Sequence, residues 1–157
     1  MVKLNSTSRL PSINSKIILT QTDTTVGFLS QDAIQLSAIK SRHDSKPFIK
    51  VYKSFQALKQ DNKRVPKSKK NIIRRLKKTT FIVKNFSFRV AGDFLSSSLL
   101  RKSSWNYSTS ANQSGKNFSR IFCEEKAVII VEDKNGLFEG KASKLYKINN
   151  KKIKRLR

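Results

Sequence analysis

The chain has 157 residues, 37% of them hydrophobic, with ten Phe and one Trp, which suffices for one domain with one core and is too short for two ordinary ones. It carries 34 Lys and Arg against 10 Asp and Glu, a formal net charge of +24, so its cations repel one another unless anions relieve them, and phosphate in some form is the expected partner. A membrane-spanning helix is excluded, because the longest apolar runs, such as KIIL at 16–19 and AVIIV at 127–131, fall far below the ~18 residues a span needs.

The opening MVKLNSTSRLPS has no apolar stretch and no small-residue cleavage site, and Cys123 is alone, which together fit a cytoplasmic protein in a reducing compartment. Residues 1–15 read as a flexible lead. A β-rich run at 16–20 reads as a strand, and TQTDTTVG after it as a loop. Ala33, Leu36 and Ile39 recur at helical spacing, predicting a helix over 31–40 with Asp32 in its first turn, where the helix dipole favours an anion. A strand over 48–52 follows, then a short helix capped by Ser54 and running through Lys59. Residues 63–78 hold nine basic residues in sixteen positions with no acid. Within them Ile72, Ile73 and Leu76 form a narrow apolar stripe on a helix over 71–78.

Two strands are expected at 79–83 and 86–90. Alternation sets Phe86, Phe88 and Val90 on one face of the second and Ser87 and Arg89 on the other; on strand position alone Arg89 is a solvated arginine. A helix over 94–101, a strand through WNYSTSA, a helix over 118–126, a buried strand over 127–132, a turn at DKNG and a last strand over 144–148 complete the pattern. The final KKIKRLR, 151–157, is a basic end. Helices and strands alternate through most of the chain, which argues for a mixed α/β sheet in one domain spanning 1–157.

Much familiar chemistry is missing. His43 is the only histidine, so a histidine-rich metal site is impossible and any Ser-His-Asp triad would have to use it. The five glycines form neither a dinucleotide fingerprint nor a P-loop, and Cys123 has no CxxC partner. An enzyme built from these residues would work by positioning and by stabilising negative charge.

Three segments carry the positive signal: TQTDTTVGF at 20–28, AIKSRHDSKPF at 38–48 and STSANQSG at 108–115. The second gathers Lys40, Arg42 and Lys46 at the end of a helix, where cations offset the helix dipole as well as suiting an anion. In the third, small residues let an anion approach the backbone, while Ser110 and Asn112 offer hydroxyl and amide groups at i, i+2. In order and spacing the three resemble the signature segments of the YrdC family, the threonylcarbamoyl-AMP synthases, in the single-domain form without a further C-terminal domain. The resemblance extends over about residues 16–157. FSFRVA resembles the family's V-R-V strand and KASKLYKINNKKIKRLR its terminal segment. The chain departs from the pattern at Gln21, Val26 and Lys144, and RLKKTTF lacks the tryptophan and glycine of the family's W-P-G-P-x-T-F motif.

The resemblance implies an α/β fold, a twisted mixed sheet flanked by helices around a basic concave cavity. It implies an enzyme joining L-threonine, bicarbonate and ATP into threonylcarbamoyl-AMP and pyrophosphate, for modification of tRNA by a separate threonylcarbamoyl transferase. By the same resemblance Thr22 and Thr24 hold threonine, Lys40 and Arg42 bind the reacting oxyanions with support from Lys46, and Ser110, Asn112, Arg89, Ser143 and Arg157 hold the nucleotide. Magnesium would arrive with ATP. The alternative is a YrdC-like module without synthase activity that binds RNA, and in either case basic surface beyond the site could contact tRNA.

Overall fold

A computed structural model describes residues 13–41, 47–91 and 102–157. The helix expected over 94–101 lies outside them. A nine-stranded mixed sheet organises the chain. In sequence its strands are β1 (Ile18–Gln21), β2 (Val26–Ser30), β3 (Ile49–Tyr52), β4 (Thr79–Val83), β5 (Phe86–Val90), β6 (Trp105–Ser110), β7 (Ile129–Val131), β8 (Lys144–Ile148) and β9 (Ile153–Arg155); in space they run β7-β1-β2-β6-β3-β5-β4-β8-β9. Among the described residues these strands are accompanied by α1 (Ala33–Lys40), α2 (Phe55–Gln60), α3 (Lys70–Arg75) and α4 (Arg120–Lys126).

The helices begin where side chains can satisfy their first backbone N–H groups. Asp32 caps α1, accepting from Ile34 N at 3.0 Å and Gln35 N at 3.1 Å, so it precedes the helix rather than lying in its first turn. Ser54 caps α2 as expected, accepting from Ala57 N at 3.1 Å. The helix expected over 71–78 stops at Arg75, and Lys78 takes a left-handed φ of 52° before β4 begins.

Because strand partners share a face, the register sorts the side chains. One face carries Leu19, Phe28, Tyr52, Phe81 and Phe88, and here the helices pack in two clusters. Leu36 of α1 and Cys123 of α4 join the first cluster; Leu58 of α2 and Ile73 of α3 join the second. The opposite face carries Gly27, Val51, Arg89, Ser108 and Ser110 near its middle. Toward the β7 end of that face, Ile18 and Leu29 form a small third cluster with Ile129 and Val131.

Three expectations are corrected. Val26 and Gly27, read as the end of a loop, belong to β2, which pairs antiparallel with β1 through Ile18 opposite Leu29. The strand expected to be buried over 127–132 is the short edge strand β7, with Ile130 44% exposed. The basic end contains β9, which pairs with β8 through Ile148 and Ile153.

Candidate functional site

A cavity of about 300 Å³ opens on the sheet face opposite α1–α4. The turn between β1 and β2 forms one wall. Thr22 shapes it: its Oγ1 donates to Thr25 O at 2.6 Å and accepts from the backbone N–H groups of Thr24 and Thr25, each at 3.2 Å. This bonding turns the chain tightly and leaves Thr24 facing Arg89, whose Nη1 donates to Thr24 Oγ1 at 3.1 Å. Gly27 lies on the floor, where a Cβ would come within 3.0 Å of both Thr109 O and Thr22 Cγ2; the absent side chain keeps β2 against β6 and the cavity open.

Arg89 is 4% exposed, not solvated, and lines the cavity. Its Nε lies 3.4 Å from Asp23 Oδ1, too far and too poorly aligned for a hydrogen bond, and neither atom has another hydrogen-bond partner. Burial pushes the Asp23 carboxyl up and the Arg89 guanidinium down, while their mutual attraction works the other way on each. The second guanidinium in the wall belongs to Arg157, which donates from Nε to Ser143 O at 3.0 Å and lies near enough to lower Arg89 further by repulsion. Ser143 is fixed in turn by its 2.9 Å contact with Thr80 Oγ1.

The third wall is the heptapeptide TSANQSG. Ser110 lines the cavity at the end of β6, and Ala111 beside it is buried. Lys40, at the end of α1 and 6% exposed, donates to Ser110 O at 2.9 Å, Asn112 O at 2.7 Å and Asn112 Oδ1 at 2.6 Å. Ser110 Oγ donates to the same Asn112 Oδ1 at 2.7 Å. Lys40 and Asn112 thus tie the loop together from behind rather than lining the cavity. Arg42, Lys46 and His43 lie outside the described residues.

Of the ten residues expected at the site, Thr22, Thr24, Arg89, Ser110, Ser143 and Arg157 meet around the cavity, although they come from segments up to 135 residues apart in sequence. Sequence reasoning left Asp23, Thr80 and Ser108 unassigned. Asp23 was signalled by being an acid between two threonines in a strongly basic chain. Ser108 was signalled by its i, i+2 relation to Ser110. Thr80 carried no signal, since its role depends on β8 lying beside β4. Among the described residues no carboxylate lines the cavity, and no group of three or more His, Cys, Asp or Glu could hold a metal ion. Hydroxyls, backbone groups and two guanidiniums suit an anionic ligand with several oxygens.

No protein-family model and no curated protein matches this sequence. Solved structures do. A double alanine variant of P. abyssi Sua5 superposes at a TM-score of 0.72 with 18% identity, and P. abyssi Sua5 complexed with L-threonine at 0.66 with 17%; in both, 91% of this chain is covered. The chain spans about half the length of those Sua5 chains, 49% and 50%. MTH1692 from Methanobacterium thermoautotrophicum matches at 0.65 with 16% identity, over 100% of this chain and 91% of its own. Full-length HypF in a phosphate- and nucleotide-bound form matches at 0.70 with 12% identity, over 91% of this chain and 22% of HypF. Within the described residues no helix is long and apolar enough to cross a membrane. The mixed sheet, its strand order and these superpositions together give the chain the YrdC-like fold of Sua5 and MTH1692.

Proposed function

We propose that the cavity makes threonylcarbamoyl-AMP and pyrophosphate from L-threonine, bicarbonate and ATP, in the cytoplasm, and that the product passes to a tRNA threonylcarbamoyl transferase. The observation that carries this reading is the convergence of Thr22, Thr24, Arg89, Ser110, Ser143 and Arg157 on one concave face with no carboxylate in its lining among the described residues. The threonine bound to Sua5 supports the first ligand class, and HypF, 22% of which shares the fold, is itself a nucleotide-binding protein.

In the first step the threonine amine adds to carbon dioxide or bicarbonate, releasing a proton to solvent in the former case and water in the latter, and gives a carbamate. A carbamate oxygen then attacks the α-phosphorus of ATP; the bond to the bridging oxygen of the β-phosphate breaks and pyrophosphate leaves. The carbamate and ATP are both anionic, so the barrier to their joining lies largely in bringing mutually repelling oxygens together. Arg89 and Arg157 offset that charge from fixed positions, and Thr24 and Ser110 offer hydroxyls for orientation. Lys40 and Asn112 hold the backbone of the TSANQSG loop at its working distance. Arg42 and Lys46 complete the cationic side by resemblance. Magnesium comes as part of the magnesium–ATP substrate, since the lining hydroxyls and guanidiniums are not a cage for it.

Pyrophosphate release from ATP, measured with and without threonine and bicarbonate, tests the reading. Release should require both co-substrates and collapse in Lys40→Ala and Asn112→Ala. The second reading, a YrdC-like RNA-binding module without synthesis, is favoured by the bonding of Lys40 and Asn112 to one another within the protein. Release that ignores threonine and bicarbonate in every mixture would sink synthesis and leave the module.

A further inference from the structure

Among the described residues, the helix-bearing face of the sheet has a gap. Its two packed clusters, one beneath α1 and α4 and the other beneath α2 and α3, meet at the Trp105–Tyr107 ring contact, 5.1 Å between centroids, and beside Tyr107 lies a second cavity of about 320 Å³. Lys50 and Tyr107, paired across β3 and β6, form its floor. Phe48 and Phe86, both half-buried, contribute its apolar walls, and the Lys63 ammonium stands 5.0 Å from the Phe86 ring centroid. Lys50 is rigidly placed: 8% exposed, it donates to Asp61 Oδ2 at 2.7 Å and lies 3.7 Å from the Trp105 ring centroid.

A third cavity, of about 410 Å³, adjoins the second. Lys63 and Asn85 line the second, and their chain neighbours Arg64 and Lys84 line the third, so the two are separated only by the tip of the β4–β5 hairpin and the segment facing it. Beyond it Ser68 Oγ donates to Asn150 O at 3.1 Å, drawing the basic turn between β8 and β9 alongside the basic run that leads into α3. Residues 62–91 carry eleven Lys and Arg and residues 140–157 carry eight, and neither stretch contains an Asp or a Glu. All ten acidic residues fall elsewhere in the chain.

A recess walled by aromatic rings and floored by an ammonium, with an acid-free groove beyond the hairpin tip, suits a ligand with flat apolar units joined by repeated negative charges. A duplex keeps its bases stacked inside and cannot offer one to a recess. A free mononucleotide would leave the adjoining groove without a counterpart. We propose that this face binds a single-stranded polynucleotide, with one base entering among Phe48, Phe86 and Tyr107 and the flanking phosphates running past Lys63, Lys84 and Arg64. The recess opens on the opposite side of the sheet from the proposed synthase cavity, with Pro47 and Phe48 lining both, and the proposal does not depend on that reading.

Fluorescence anisotropy with a labelled oligouridylate of about ten nucleotides, its deoxy counterpart and an RNA duplex of equal length tests the assignment on the full chain. Both single strands should bind more tightly than the duplex, and tighter binding of the RNA strand would point to its 2′-hydroxyls as the source of preference. The Lys63→Glu, Lys84→Glu double variant should reduce the slope of log K against log salt by about 1.4, as expected for two lost phosphate contacts on a single strand. Phe86→Leu should weaken binding by about tenfold and leave that slope unchanged; Tyr107→Leu takes its place if the first variant does not fold. Magnesium–ATP should not displace the strand. Equal affinity for the duplex, or an equal loss from the Lys116→Glu, Lys126→Glu variant outside both cavities, would overturn the proposal in favour of plain attraction to net charge.

Discussion

Arg89 meets a carboxylate, a hydroxyl and another guanidinium: Asp23 at 3.4 Å, Thr24 at 3.1 Å and Arg157 near enough to repel it. An anion entering between the two guanidiniums would relieve that repulsion, and a planar fork can serve it with two parallel hydrogen bonds where an ammonium cannot. Arg89→Lys is therefore expected to lower kcat/KM for pyrophosphate release by about tenfold even though charge is kept; an unchanged value would remove Arg89 from the ligand side. The strand pattern located Arg89 on the face away from the aromatic residues but implied solvent there. Its burial comes from Asp23, brought over by the β1–β2 turn, and only the likeness of FSFRVA to a family strand hinted at it. The small side chains of TSANQSG were legible as a place of close approach. That Lys40 would reach back to hold this loop was not, because the contact joins residues 72 positions apart.

Individual elements are pinned to one another by a few buried polar links. Asp61, the residue that ends α2, accepts from Lys50 Nζ at 2.7 Å and from the Tyr52 hydroxyl, both on β3. Burial alone would raise its carboxyl, but the bonds from Lys50 and Tyr52 prevail and hold it below its ordinary 3.8. A carboxylate depressed in the folded state contributes stability that is fully present above that ordinary value and lost as pH falls through the folded one. Asp61→Asn should thus cost about 2 kcal/mol at neutral pH and flatten the loss of stability below about pH 4, both read from urea unfolding across a pH series.

Residues 132–143 act as a strap across the β1–β2 turn: Val26 N donates to Phe138 O at 3.1 Å and Gly140 N to Thr25 Oγ1 at 3.0 Å. A Cβ on Gly140 would meet Thr24 O at 2.0 Å, so Gly140→Ala must lift the strap. It should lower both thermal stability and pyrophosphate release, and intact activity would show the strap to be dispensable. The bounds of β4, β5 and β8 were readable to the residue, β5 with the alternation that set Arg89 apart from Phe88. β2 was not, because Gly27 and the Thr-Asp turn residues before it favour a loop by local propensity, and only pairing with β1 and β6 makes it a strand. β7 misled for the opposite reason, since an apolar run at a sheet edge has the same composition as one in the middle.

Across the whole molecule the charge is uneven. The half of the sheet running from β5 to β9, with α3, is built from stretches without a single acid, whereas Arg120 near the other end is clasped by Glu124 at 2.7 Å and Glu132 at 2.7 Å. Self-repulsion within the acid-free half opposes folding, and salt should relieve it as the screening length falls from about 30 Å at 0.01 M to about 8 Å at 0.15 M. Calorimetry should find Tm rising by several degrees over that range, opposite in sign to the effect of salt on polynucleotide affinity; a falling Tm would mean that attractive pairs dominate. Total charge was plain in the sequence. Its arrangement was not, because it depends on strand order.

That order has a temporal corollary. β4 lies parallel to β8, with Thr79 beside Lys144, and the Ser143 and Arg157 that finish the cavity wall come from that late segment. On the ribosome the β1–β2 hairpin can close early, but the wall must wait until translation has passed residue 157. A nascent chain would therefore expose its bare cationic β4–β5 hairpin from the time it is made until β8 arrives, an interval in which chaperones or the surrounding ribosomal RNA are the nearest available cover.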